Sequence, residues 1–145
     1  MYKHILLPTD GSALSQEAAR QAIAFAKSIN AKVTAITVSP SFHALAIEAQ
    51  MVTDTPEEYR KMCEARAETY LGPIRKIAGG AGVACEAIHV VNDHAYQAII
   101  DAAQNKGCDL IMMASHGRRG MSAVLLGSET NKVLTHSKIP VLVCR

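Results

Sequence analysis

The sequence predicts an α/β fold, a single domain built on one doubly wound, five-stranded parallel sheet with helices on both faces. Three observations carry this reading. Short β-branched or aliphatic runs alternate with longer segments of helical period along all 145 residues, the pattern of strands joined by helical crossovers. One run, Leu110-Ile111-Met112-Met113-Ala114, is apolar without interruption, as a strand covered on both faces must be. Hydrophobic residues make up 49% of the chain against 19% charged, enough to fill one core at this length.

Each element has its own local reason. Ile5-Leu6-Leu7 forms a first strand stopped by Pro8. Ser12 is placed to cap a helix whose Leu14, Ala18, Ala22 and Ala26, joined by Ala19, Ile23 and Ile29, make one apolar stripe at i, i+3, i+4 spacing. Asn30 ends that helix, and Val33 to Val38 is a second strand ended by Ser39-Pro40. Residues 41–54 have no clean period and are expected to be a variable connection. Thr55-Pro56-Glu57-Glu58 then marks a sharp helix start, with Thr as N-cap, Pro in the first turn and Glu58 completing a capping box. Gly72-Pro73 is expected to bend or interrupt this helix, and Gly79-Gly80 to end it.

Cys85 to Val91 is a third strand, after which Asp93 is expected to cap a helix carrying Ala95, Tyr96, Ile99, Ile100 and Ala103 and closed by Gly107. Leu110 to Ala114 is the fourth strand. A Gly-rich loop from Ser115 to Gly127 leads into a helix from Ser128 to His136, and Pro140 precedes a last strand at Val141 to Val143. No repeat, low-complexity tract or linker interrupts the chain.

Composition excludes several classes of function. Fifteen Lys and Arg against thirteen Asp and Glu give a net charge of +2, too little for the basic face of a nucleic-acid binder. Aromatic residues are 4% with no Trp, which argues against stacking platforms for bases. The opening apolar run is cut short by Pro8 and Asp10, and no stretch approaches the roughly 18 residues needed to span a bilayer. A cytoplasmic location without membrane contact is the expectation. Cys63, Cys85, Cys108 and Cys144 include no C-x-x-C pair, and the six histidines include no H-x-x-x-H pair, so no zinc site is expected.

Two loops that leave strands are chemically unusual, and in a doubly wound sheet ligands lie beyond the carboxyl ends of the strands. Pro8-Thr9-Asp10-Gly11-Ser12 places a carboxylate and two hydroxyls just past the first strand, although spacing alone favours an ordinary turn with an N-cap. Ala114-Ser115-His116-Gly117-Arg118-Arg119-Gly120, with Gly127-Ser128 opening a helix, offers a backbone freed by glycine and a helix N-terminus to an anion. Neither G-x-x-x-x-G-K-[ST] nor G-x-G-x-x-G is present, so a P-loop or dinucleotide fingerprint is not supported. His116 reads either as a general base or as a side chain that orders the loop. Met112 and Met113 alternate across a strand, so only one of them can face a ligand.

The chain resembles the universal stress protein family over its whole length. The segments that carry the likeness are Lys3 to Ser12, Ile111 to Gly117, and Leu125-Leu126-Gly127-Ser128 leading to Ile139-Pro140-Val141-Leu142-Val143. Nucleotide-binding members share a G-x2-G-x9-G-[ST] pattern, which here reads Ala114-x2-Gly117-x9-Gly127-Ser128, with Ala in place of the first glycine. The resemblance implies a Rossmann-like sheet of order 3-2-1-4-5 and an adenine nucleotide, ATP or AMP, as ligand. It implies that Pro8, Thr9 and Asp10 line the adenosine side, that Val38 and Met113 hold the adenine, and that the Ala114 backbone lies close to the ligand. Gly117 and Arg118, with His116 beside them, would hold phosphates, together with the amides and hydroxyls of Gly127, Ser128, Glu129 and Thr130. A magnesium ion bridging the phosphates needs no cage of protein ligands. The resemblance also implies a homodimer paired through the last strand, acting in stress signalling by occupancy and not as an enzyme. The alternatives are a slow ATP hydrolase using His116 or Asp10, and a nucleotide-free dimeric interaction module.

Overall fold

The structure, a computed structural model, describes residues 1–42, 55–117 and 126–145. In chain order the elements are β1 (His4–Pro8), α1 (Ala13–Ile29), β2 (Lys32–Ser39), α2 (Pro56–Ala81), β3 (Cys85–Val91), α3 (Ala95–Asn105), β4 (Leu110–Ala114), α4 (Ser128–His136) and β5 (Val141–Cys144). All strand pairs are parallel and the order is β3-β2-β1-β4-β5. The expected connection over 41–54 lies almost wholly outside the described residues, as do Arg118, Arg119, Gly120 and Leu125.

Side-chain alternation splits the core into two layers. Ile5, Leu7, Val33, Ala35, Leu110, Met112 and Ala114 face α1 and α2, where Ala18, Ala22, Ile23, Leu71 and Ile74 meet them. Leu6, Ile36, Ile111 and Met113 face the other way, onto Ile99 and Ala103 of α3 and Val133 of α4. Met112 and Met113 therefore belong to opposite layers, as the strand period requires. The central strands β1 and β4 are buried along their whole length.

The expected N-terminal signals are present. Ser12 Oγ accepts from the Ser15 amide at 3.2 Å, and Thr55 and Glu58 form the reciprocal capping box, with bonds of 3.2 and 2.8 Å. The first three of the four crossover helices end alike. Asn30, Gly82 and Gly107 take positive φ of 56°, 73° and 70°, and the following residue bonds back to the carbonyl five positions earlier: Ala31 to Ala26, Val83 to Ala78 and Cys108 to Ala103, at 2.8, 2.9 and 2.8 Å. Each of these pairs is also buried in the core, the apolar contact that completes this cap.

Two helix expectations are corrected. α2 is one helix of 26 residues that Gly72-Pro73 does not interrupt, and it does not end at Gly79-Gly80 but passes through them to a cap at Gly82. Leu71, Ile74 and Ala78 on either side of these breakers are all buried. Burying Leu71 and Ile74 stabilises by about 1.5–3 kcal/mol each, which matches the roughly 3 kcal/mol that an internal proline costs. Asp93 does not cap α3 with its side chain. His94 is the N-cap residue and makes no side-chain cap bond, while Asp93 Oδ1 accepts from the Ser41 amide at 2.8 Å and holds the end of β2 to the β3–α3 turn.

Candidate functional site

The chain order runs outward from β1 through β2 to β3, then returns to β4 and β5 on the other side. The two loops that leave β1 and β4 thus diverge at the switch point, opening a crevice at the carboxyl end of the sheet. A cleft of about 530 Å³ lies there, a size suited to a small ligand.

The β1–α1 loop is built from its own polar groups. Thr9 is buried; its Oγ1 lies 3.0 Å from Ser15 Oγ and accepts from the Gly11 amide at 3.2 Å, while Ser15 Oγ donates to the Ser12 carbonyl at 2.9 Å. The Thr9 hydroxyl is therefore committed to shaping the loop. Asp10 Oδ1 accepts from the Ser12 amide at 3.0 Å. Gly11 has φ +77°, and a Cβ there would run into the ring of Tyr70 on α2, so both conformation and space demand glycine.

The β4–α4 loop comes back against the first. A Cβ at Gly117 would collide with Oδ2 of Asp10, so glycine is what lets this backbone lie on the Asp10 carboxylate. At the far end of the loop the Gly127 amide donates to the Ser115 carbonyl at 2.7 Å, and a Cβ at Gly127 would sit 3.3 Å from His116 Cα and from that same carbonyl. Thr130 Oγ1 donates to the Ala114 carbonyl at 2.9 Å, tying α4 to the end of β4. The methyl of Ala114 packs in the α1–α2 layer.

The N-termini of α1 and α4 differ in a way that matters chemically. Ser12 closes α1 with its own oxygen, whereas Gly127 at the N-cap of α4 makes no side-chain cap bond. The first-turn amides of a helix have no intrahelical acceptor, so those of Ser128, Glu129 and Thr130 present donors and a positive dipole end to the cleft. Beside them, His116 Nδ1 pairs with Ser115 Oγ at 2.9 Å, and its Nε2 is buried with no hydrogen-bond partner among the described residues. A buried polar atom left in this state carries a cost that an incoming partner can remove.

Every candidate residue named from the sequence lines this one cleft, from Pro8, Thr9, Asp10 and Val38 to Met113, Ala114, His116, Gly117, Gly127, Ser128, Glu129 and Thr130; Arg118 lies outside the described residues. Sequence reasoning missed the wall supplied by Arg66 and Tyr70 of α2 and by Asn92 and Asp93. These lie far from the glycine loops in sequence and carry no motif. The one available signal was Gly11, whose lack of a side chain makes room for Tyr70. Tyr59, one turn before Cys63 on α2, donates its hydroxyl to the Pro40 carbonyl at 2.7 Å and so ties this wall to the end of β2. Burial pushes its phenol up to about 12, with Cys63 adding to the shift, so it remains a donor at any physiological pH. Among the described residues no group of three or more His, Cys, Asp or Glu could hold a metal ion, and no helix is long and apolar enough to cross a membrane.

A family model described as the universal stress protein family matches residues 1–145. The chain belongs to this family. A universal stress protein of Methanocaldococcus jannaschii, MJ0531, is 34% identical over the whole chain and 83% of the relative. A second protein of that organism, MJ0577, has a solved structure that superposes with a TM-score of 0.82 at 30% identity, covering 99% of this chain and 95% of the other. A universal stress protein solved in complex with cAMP matches with a TM-score of 0.69 at 26% identity, covering 99% of this chain and 97% of that one. The sheet order expected from the resemblance is the order observed.

Proposed function

We propose that this universal stress protein binds an adenine nucleotide, ATP or AMP, in the cleft at the switch point, and that occupancy, not turnover, is its output. The observation that carries the reading is the uncapped first turn of α4 beside Gly117, on a cleft lined by the β1–α1 loop, within a family one of whose relatives was solved with cAMP. The adenine would lie between Val38 at the end of β2 and Met113 of β4, with ribose hydroxyls donating to Asp10. Phosphate would sit over Gly117 and the amides of Ser128, Glu129 and Thr130, with magnesium bridging phosphate oxygens where more than one is present.

The same proposal includes a cytoplasmic homodimer paired through β5. Among the described residues β5 bonds only to β4 and leaves its other edge unpaired, and Leu142 on it is 40% exposed; a free edge with apolar side chains is a ready pairing surface. Calorimetric titration with ATP and AMP, with and without magnesium, tests the ligand, and sedimentation at micromolar concentration tests the assembly. Heat and a thermal shift at millimolar nucleotide are expected; their absence refutes the binding reading, and a monomer refutes the dimer. Steady ATP turnover that disappears in His116→Ala while binding remains would make the protein a hydrolase instead.

A further inference from the structure

The charge carried by the described residues of the cleft is unfavourable to a polyphosphate. Among the described residues lining it, Asp10, Asp93 and Glu129 bring carboxylates, while Arg66 brings a guanidinium. Glu129 is the one placed on the phosphate cradle, as the acidic residue in the first turn of α4. Its carboxylate is held in place rather than swinging in solvent. Oε2 accepts from the Tyr96 amide at 2.9 Å, in the first turn of α3, whose N-cap His94 makes no side-chain cap bond. Oε1 lies 3.3 Å from Lys132 Nζ.

One carboxylate therefore serves the N-termini of two helices. It offsets the same positive dipole end that an incoming phosphate would use, and it repels each further negative charge brought to the cradle. Lys132 stands one turn farther along α4 with its ammonium 3.3 Å from the carboxylate, and both side chains are about half exposed, so the repulsion that this pair leaves is one that salt screens. The described donors that an anion would meet are the α4 amides, the Arg66 guanidinium on the α2 wall and, in the tautomer protonated there, the buried Nε2 of His116.

We infer that Glu129 is a specificity-determining residue that selects nucleotides carrying a single phosphate, a nucleoside monophosphate or cyclic monophosphate, over the triphosphate. The inference rests on the adenine-nucleotide reading of the cleft and narrows it. It is tested by titrating AMP, cAMP and ATP, each with and without magnesium, into the intact wild-type protein and Glu129→Gln. Gln keeps an oxygen that can accept from the Tyr96 amide and removes only the charge.

The wild type is expected to bind AMP about tenfold more tightly than ATP, and Glu129→Gln to raise ATP affinity about fivefold while changing that of AMP less. A wild type that prefers ATP, or a variant with an unchanged ATP-to-AMP ratio, overturns the inference. Should the variant fail to fold, the salt dependence of the wild type decides: raising ionic strength should narrow the gap between AMP and ATP, and a gap that does not narrow overturns it. If none of the three nucleotides binds, the adenine-nucleotide reading falls and the selection rule with it; if they bind without the expected ratio, only the rule falls.

Discussion

The two ends of the sheet use the same residue types to opposite effect. At the amino end, Asp109 accepts from the amides of Lys3 and His4 through both oxygens, at 2.8 to 3.1 Å, and His4 Nε2 pairs with Thr34 Oγ1 at 2.7 Å in the buried interior. At the carboxyl end, Asp10 lies against the backbone of Gly117, and His116 keeps one buried nitrogen without a partner among the described residues. The aspartate and histidine of the first end are consumed in holding β1 against its neighbours. Those of the second border a cleft and an uncapped helix. Whether a polar side chain at a sheet end ties strands together or borders a cleft thus depends on the backbone that packing brings to it.

The contrast can be broken most directly at Gly117. Gly117→Val should weaken nucleotide binding by at least about a hundredfold, equivalent to roughly 2.7 kcal/mol, while moving the thermal midpoint little, because Gly117 is exposed. Unchanged affinity in titration calorimetry would remove the phosphate assignment. Gly11→Ala should cost about 2 kcal/mol in denaturant unfolding, since positive φ and the Tyr70 ring both oppose a side chain. A loss below about 0.5 kcal/mol would mean that the loop has room the structure does not show.

At the closed end, Thr34→Val should cost roughly 1–2 kcal/mol by stranding the His4 ring nitrogen, with no change in nucleotide affinity; a binding defect would show that the two ends are coupled. The same histidine predicts a pH response. Burial, with the charge of Lys32 adding to it, lowers the pKa of His4 below its ordinary value. The unfolded chain takes up a proton near pH 6.5 while the folded one resists it, so the contribution of His4 is present above about 6.5 and is lost as pH falls toward the lowered folded value. Unfolding free energy measured through this window should fall with acid in the wild type and fall less in His4→Gln; equal slopes would sink the assignment.

The smallest effect is expected at Ala114→Gly. Its methyl belongs to the α1–α2 layer, so stability should drop by about 1 kcal/mol, with nucleotide affinity within about twofold. A large gain in affinity would instead make that methyl the obstacle to a bound ligand.

Much of the site was legible because its signals are local. The Thr9-to-Ser12 turn and Gly117 and Gly127 at fixed spacing stand in the sequence beside the strands they follow. The α2 wall was not legible, because Arg66 and Tyr70 reach the cleft only after a crossover of more than twenty residues folds back on the sheet. Asp93 was misassigned for a related reason. An aspartate ahead of a helix reads as a cap until the Ser41 amide, some fifty residues earlier in the chain, is brought to it.

By itself, the sequence determined where strands and helices lie and how they begin, since hydrophobic period, capping box and left-handed caps act within one or two turns. Tertiary structure alone decided the rest. It carried α2 through Gly72-Pro73 and Gly79-Gly80, because burial of Leu71, Ile74 and Ala78 against α1 and the sheet offsets penalties that an isolated helix would not survive. It also decided which aspartate and histidine would join the strands at the amino end and which would line the cleft, because satisfaction of a buried polar group depends on the neighbours that packing brings to it.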